Sequence, residues 1–252
     1  DTGECIKTFY GHIDRIWSIS ISPDGKTIIS GSADQTVKQW DISTGECLKT
    51  FKGHTASISS VTFSLDGGTV VSGSADKSIR LWNILTGECL KIFNGHDRGV
   101  KSLVLNSILF SSSSDGIIKI WNIQTGECLK TLGEHTDIVR ALAVNPDGNY
   151  LISCSDDQSI KLWDISTGEC LQTFQGHTNW VNSVVISSDG DVLASSGNET
   201  EIRVWDINSG QNITTLEGHT KRVWSVDISS DGEKIASSSS DNTVKIWDIQ
   251  SG

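Results

Sequence analysis

The chain has 252 residues, a formal net charge of −11 and 36 % hydrophobic residues. That charge makes the surface as a whole repel nucleic acid and anionic membrane. No apolar run approaches the roughly 18 residues of a membrane span, and the polar opening residues do not read as a signal peptide.

In chain order, Glu4–Phe9 (ECIKTF) reads as a lone strand after Thr2-Gly3. Residues 15–22 (RIWSISIS) alternate apolar and small polar side chains, the period of a strand. Pro23-Asp24-Gly25 is turn chemistry. Residues 27–32 (TIISGS) form a second strand, Asp34-Gln35 a tight polar turn, and 37–42 (VKQWDI) a third strand. Ser43-Thr44-Gly45 turns again into 46–51 (ECLKTF), and Lys52-Gly53-His54 starts the next copy.

The phrase recurs six times. All six histidines, His12, His54, His96, His135, His177 and His219, keep its phase, with spacings of 42, 42, 39, 42 and 42 residues. A residue type that occurs once per unit and nowhere else belongs to the architecture rather than to a single active site. Four short antiparallel strands per unit, with no helical period, predict an all-β array. Such sheets bury both faces by stacking radially, so the expected fold is a six-bladed β-propeller of four-stranded antiparallel blades. The chain ends on a third strand, so the N-terminal strand over residues 4–9 is expected to complete the last blade and close the ring. Residues 1–252 are read as a single domain and, since methionine is absent, as a slice of a larger protein.

The copies resemble the WD-repeat (β-transducin-type) propeller family. Gly-His stands at 11–12, 53–54, 95–96, 176–177 and 218–219; Trp-Asp at 40–41, 163–164, 205–206 and 247–248; Trp-Asn at 82–83 and 121–122. The near-identical phrases are similar to the arrays of large bacterial, especially cyanobacterial, regulatory proteins, which often carry an NTPase, kinase or effector domain. The resemblance implies a buried hydrogen-bond chain in each unit. Its members here are His12, Ser30, Asp34 and Trp40; His54, Ser72, Asp76 and Trp82; His96, Ser111, Asp115 and Trp121. The later units supply His135, Ser153, Asp157 and Trp163; His177, Ser195, Glu199 and Trp205; His219, Ser237, Asp241 and Trp247. The donor inventory suits that role: the carboxylate accepts from the imidazole, the other ring nitrogen accepts from serine, and serine accepts from the indole. Three units depart from the pattern. Glu199 replaces aspartate and must bend or move its turn, Glu134 replaces the glycine before His135, and the third unit has a short turn near Asn106-Ser107.

Shared residues build the scaffold, so function is sought where the units differ. Of nine tryptophans, Trp17, Trp180 and Trp224 lie outside the repeat. The resemblance places them, with Arg15, Lys101, Arg140, Asn182 and Arg222, at the mouth of the ring where partners dock. Tryptophan and arginine are the types enriched at binding hot spots; the alternative is that the indoles merely fill the channel entrance. The expected function is a non-catalytic scaffold or sensor that docks a protein or peptide, with an acidic or phosphorylated element meeting Arg15, Arg140 and Arg222. A regulatory lid that binds another domain of the same chain is the alternative, with single-stranded nucleic-acid binding and hydrolysis behind it. Cysteine spacing offers no zinc site, so no metal or cofactor is expected. Five in-phase cysteines too far apart to bridge point to a reducing compartment, the cytoplasm.

Overall fold

The structure is a computed structural model that describes residues 4–249. In the first unit the strands run Ile16–Ile21, Thr27–Ser32, Val37–Asp41 and Cys47–Phe51, antiparallel and in chain order. Six such sheets follow one another, and no helix occurs among the described residues. Five sheets have four strands; the sixth has three, Val223–Ile228, Lys234–Ser239 and Val244–Asp248. The all-β class and the antiparallel blades expected from the repeat are those observed. The described residues fall into two compact units, one reaching to residue 111 and including 120–129, the other made of 112–119 and the residues from 130 onward.

Local chemistry sets each turn. Ser22 Oγ donates to Asp24 Oδ1 at 2.6 Å and accepts the Thr27 amide at 2.9 Å, which fixes the first hairpin. The second turn needs a left-handed residue, and Gln35 takes that role with φ 68°. In the shortened third unit Asn106 and Ile108 close the turn by a main-chain bond of 3.1 Å.

Packing lies between consecutive sheets. In the first unit Ile29, Val37 and Phe51 of sheet one meet Ile58, Val61 and Val70 of sheet two in one buried cluster. In the second unit Ala194, Ile202, Val204 and Leu216 of sheet five meet Val223, Val226 and Ile235 of sheet six. Each valine, leucine, isoleucine or phenylalanine among them contributes about 1.5–3 kcal/mol when fully buried. The approach is close enough to dictate residue size: a Cβ on Gly31 would lie 2.7 Å from Ile58 Cγ2.

A repeated lysine ties one sheet to the next. Lys7 Nζ donates to the Ser43 carbonyl at 2.8 Å, and Lys49, Lys91 and Lys130 make the same reach to the carbonyls of Leu85, Gln124 and Ser166. The stem of each lysine lies over the glycine of a Thr-Gly-Glu-Cys phrase; a Cβ on Gly87 would stand 3.0 Å from Lys49 Cδ. That glycine also sits at φ 80°, so the phrase is glycine for two reasons.

The strand conformation expected over residues 4–9 is not observed, and the sixth sheet stays three-stranded. The segment is held by side chains to the sheet that follows it. Phe9 meets Trp40 edge-on at 5.8 Å, the distance at which Phe51 lies tilted against Trp82, and Lys7 latches Ser43. Those anchors are satisfied without a main-chain ladder.

Candidate functional site

Each histidine leads into the first strand of its sheet, each serine sits in the second strand, and each tryptophan ends in the third. The antiparallel register brings them together. His12 Nδ1 lies 2.7 Å from Asp34 Oδ2, His12 Nε2 lies 2.7 Å from Ser30 Oγ, and Trp40 Nε1 donates to that oxygen at 2.7 Å. An ionised carboxylate only accepts, so Nδ1 carries the ring proton, Ser30 donates to Nε2 and its oxygen accepts the indole. The same chain joins His54, Ser72, Asp76 and Trp82, then His135, Ser153, Asp157 and Trp163, and His219, Ser237, Asp241 and Trp247. In the third unit His96 Nε2 and Trp121 Nε1 both meet Ser111 Oγ at 2.8 Å.

The sequence conceals how fully the turn acid is satisfied. Asp34 also accepts from the Ile13 and Thr36 amides and the Thr36 hydroxyl. Burial alone would raise its pKa, but these bonds with that of His12 outweigh it and hold Asp34 at about 2. Asp76 is likewise at about 2. Burial keeps the His54 ring below its ordinary value in spite of the Asp76 carboxylate beside it, so that imidazole is neutral at pH 7.

Glu199 moves its turn, as its length requires. The next residue, Thr200, does not adopt the left-handed conformation that Gln35, Lys77, Gln158 and Asn242 share. The link nevertheless survives: Glu199 Oε2 is 2.7 Å from His177 Nδ1, and Oε1 accepts from the Thr178 amide and hydroxyl. Ser195 Oγ completes the chain to His177 and Trp205 at 2.8 Å each.

Serine, histidine and a carboxylate therefore meet in five of the units, yet in no case as a reactive triad. Ser72, Ser111, Ser153 and Ser195 are wholly buried, and each hydroxyl is committed to a ring nitrogen and an indole. Cys154 is sealed in the core, where burial pushes its thiol up to about 12. Among the described residues no cluster of three or more His, Cys, Asp or Glu could hold a metal ion.

The three surplus indoles lie on the surface. Trp17, Trp180 and Trp224 are 56 %, 44 % and 45 % exposed, whereas the repeat tryptophans of sheets one to five are buried. In the first unit Arg15 is exposed two residues before Trp17, and Lys101 is half-buried in the first strand of sheet three. The second unit gathers the rest on three successive sheets. Arg222 lies 4.1 Å over the Trp224 ring, and its Nε donates to Ser240 Oγ at 3.2 Å. Asn182 donates to Asn198 Oδ1 at 3.2 Å and to the Val223 carbonyl at 3.1 Å, while its own Oδ1 is buried without a partner. Arg140 is not the waiting cation that its sequence position suggests. It chelates the Asp156 carboxylate through Nε and Nη2 and lies 5.0 Å over the Trp180 ring.

Repeated antiparallel sheets pinned by a His–Ser–Trp chain define a repeat scaffold of WD type. The chain belongs to the family described as WD domain, G-beta repeat, whose model matches residues 3–41, 45–83, 87–122, 126–164, 168–206 and 210–248. The sheets are thus the blades of a WD-repeat propeller.

Similar proteins include the transcriptional repressor tup12 of Schizosaccharomyces pombe, 58 % identical over 38 residues, 15 % of this chain and 6 % of the repressor. A Notchless protein homolog of Arabidopsis thaliana is 48 % identical over 40 residues, 16 % of this chain and 8 % of that protein. Eukaryotic translation initiation factor 3 subunit I of Botryotinia fuckeliana is 43 % identical over 42 residues, 17 % of this chain and 12 % of the subunit. Each match is about one repeat long. Domains of this family serve as interaction scaffolds, and these relatives bear the names of regulators and factors.

Proposed function

We propose that this chain is a non-catalytic docking module for a protein or peptide, and that the contact surface centres on Trp180, Asn182, Arg222 and Trp224 of the second unit. One observation carries the reading: the indoles that the repeat does not use are the exposed ones, and arginine covers two of them. Indole and guanidinium together offer a large flat apolar area with fixed donors. Arg222 is bonded to a neutral serine, so it keeps its charge for an acidic or phosphorylated element of the partner. Arg15 and Trp17 repeat the pairing of types on sheet one. Arg140 is neutralised by Asp156, so its part is to hold the Trp180 ring. The relatives, which bear the names of a repressor and a translation-factor subunit, support an assembly role. None of the six cysteines is in a disulfide, which supports a reducing compartment such as the cytoplasm.

The test uses arrays of acidic, phosphorylated and neutral peptides against the wild-type chain and the triple variant Trp180→Ala, Arg222→Ala, Trp224→Ala. Peptides with acidic or phosphorylated residues are expected to bind, and the triple variant to lose at least tenfold in affinity. Equal binding by a folded triple variant would overturn the assignment.

A further inference from the structure

The second repeat departs from the others at two turns of its sheet. Leu65 stands where the other full-length hairpins have Pro23, Pro146, Ser188 and Ser230, and Leu85 where the turns before the fourth strand have Ser43, Gln124, Ser166 and Asn208. Both leucines point into solvent, 73 % and 84 % exposed. Next to Leu65, Asp66 is also exposed. Its counterpart Asp24 has the Lys26 ammonium at 3.9 Å, but glycine occupies the lysine position in the second repeat. Asp66 therefore keeps only local partners, the Ser64 hydroxyl at 2.6 Å and the Gly68 amide at 2.9 Å, and meets no cation among the described residues.

These residues border a cleft between sheets two and three. The hairpin of sheet three is the shortened one, closed between Asn106 and Ile108. Beside it opens a cavity of about 400 Å³, walled by Leu65, Leu81, Leu90, Leu105 and Ile123, with Asp66 among its lining residues. The matching crevice between sheets one and two holds about 270 Å³. There Phe63 takes the place of Leu105, Gln39 that of Leu81, and Asp66 and Gly67 of a full-length hairpin line the space. A smaller side chain and a shorter turn thus enlarge the second cleft, and Leu81 makes it apolar. Leu85 lines the first crevice, and Asp66 lines both, so the acid stands between two apolar hollows. Lys49 and Lys91 are committed to the carbonyls of Leu85 and Gln124. In an antiparallel sheet the turns after the first and third strands share one end. The His54 and Asp76 loops, and the start of the strand that carries Trp17, lie at the other.

We propose that this cleft docks a peptide segment that carries aliphatic side chains and a lysine or arginine. One aliphatic chain fills the cavity against Leu81 and Leu105, a second lies on Leu85, and the cation between them meets Asp66. A cavity of this size with an apolar wall and one placed polar group is the usual make-up of a binding pocket. Charge selects the occupant: Asp66 lacks a counter-ion, and the net charge of −11 draws a cationic segment toward the chain. The indole surface takes an acidic element, so the two ends of the sheets select opposite charges.

Peptides with a Leu-Lys-Leu core in a glycine–serine background are the probe, with Leu-Glu-Leu and Ala-Lys-Ala cores as controls. They are titrated into the isotopically labelled 252-residue chain and followed by amide chemical shifts. Shifts are expected at 64–69, 85 and 105–107. Leu-Lys-Leu should bind roughly tenfold or more tighter than Ala-Lys-Ala, because the cavity wall is apolar. It should bind about fivefold tighter than Leu-Glu-Leu, a margin that shrinks in salt. Leu65→Ser with Leu85→Ser introduces the residue that Ser188 and Ser43 supply in other repeats, and should weaken Leu-Lys-Leu to the level of Ala-Lys-Ala. Gly68→Lys gives Asp66 the cation that Asp24 has; a Cβ there meets only the Asp66 side chain, at 3.4 Å and beyond. This variant should erase the preference for lysine over glutamate and keep the preference for leucine over alanine. The triple variant of the indole surface should bind Leu-Lys-Leu as the wild type does, so the two surfaces fail or stand separately. If a variant does not fold, the three peptides on the wild-type chain decide. No binding at millimolar Leu-Lys-Leu, equal binding of Leu-Glu-Leu, shifts confined to other residues, or a folded Leu65→Ser, Leu85→Ser chain that binds like wild type would overturn the proposal.

Discussion

Trp82 donates its indole N–H to Ser72 Oγ at 2.8 Å, in a place where the serine is fully buried. Ser72→Ala strands that donor and removes the proton that His54 Nε2 accepts, so it should cost about 1–3 kcal/mol. Ser112 is also fully buried, but its Oγ has no partner. Ser112→Ala therefore relieves an unmet desolvation cost and should be neutral or stabilising by up to about 1 kcal/mol. Urea unfolding midpoints of the two variants give the contrast; equal losses would show that the hydroxyl network is not what matters.

Glu199 invites replacement by the aspartate of the other units, and the structure argues against it. The turn around Glu199 is reshaped, and both carboxylate oxygens are in use, on His177 and on Thr178. Aspartate is one methylene shorter and cannot serve both groups from that backbone. Glu199→Asp should destabilise by about 1–2 kcal/mol through the stranded donors. Glu199→Asp with Thr200→Asn should recover most of the loss, because asparagine tolerates the left-handed conformation seen at Asn242, φ 67°. Thermal melts of the two variants check it, and a Glu199→Asp melting point at or above wild type would refute it.

Much of this scaffold was legible because the repeat states its grammar six times. The strand Ile16–Ile21 falls where the alternation of residues 15–22 puts it, and the members of the hydrogen-bond chain are those that the family resemblance implied. The lysine latch was not legible. Lys49 and Leu85 lie in neighbouring repeats, and the acceptor is a main-chain carbonyl, which every residue possesses. The Arg140–Asp156 pair left a faint trace: opposite charges 16 residues apart, the separation at which Asn182 meets Asn198. The N-terminal segment was misread because its side-chain pattern is that of a fourth strand, and pattern does not say which sheet the chain holds by side chains and which it pairs with.

Acid should loosen the scaffold in two stages. Asp34, Asp76 and Glu199 titrate at about 2 in the folded chain because hydrogen bonds overcome burial. In the unfolded chain such groups titrate near 4. Unfolding therefore takes up protons, and each carboxylate contributes about 1–2 kcal/mol that is complete above pH ~5 and lost as pH falls from 4 toward 2. His54, lowered by burial, acts in the same direction at higher pH: its contribution is full above pH ~6.5 and fades below. Urea midpoints should be flat above neutrality, decline gently toward pH 5 and drop steeply below 4. Asp34→Asn should shallow the steep limb; a midpoint unchanged between pH 5 and 3 would contradict the scheme.

Arg140 and Asp156 are unequal partners. The Asp156 side chain is 2 % exposed and that of Arg140 is 24 % exposed. Arg140→Ala leaves a buried carboxylate without its counter-charge, a loss of about 3–5 kcal/mol. It also uncovers the Trp180 ring. Asp156→Asn keeps the volume and lets the guanidinium turn toward water, so its cost should stay near 1–2 kcal/mol. The same variant frees a cation beside Trp180, and anionic peptides should then bind the wild-type surface less tightly than the Asp156→Asn surface. Denaturant titrations rank the two stabilities, and peptide titration at two salt concentrations shows whether the freed charge is felt. If Asp156→Asn proves the more damaging of the pair, the buried carboxylate is held by something other than Arg140.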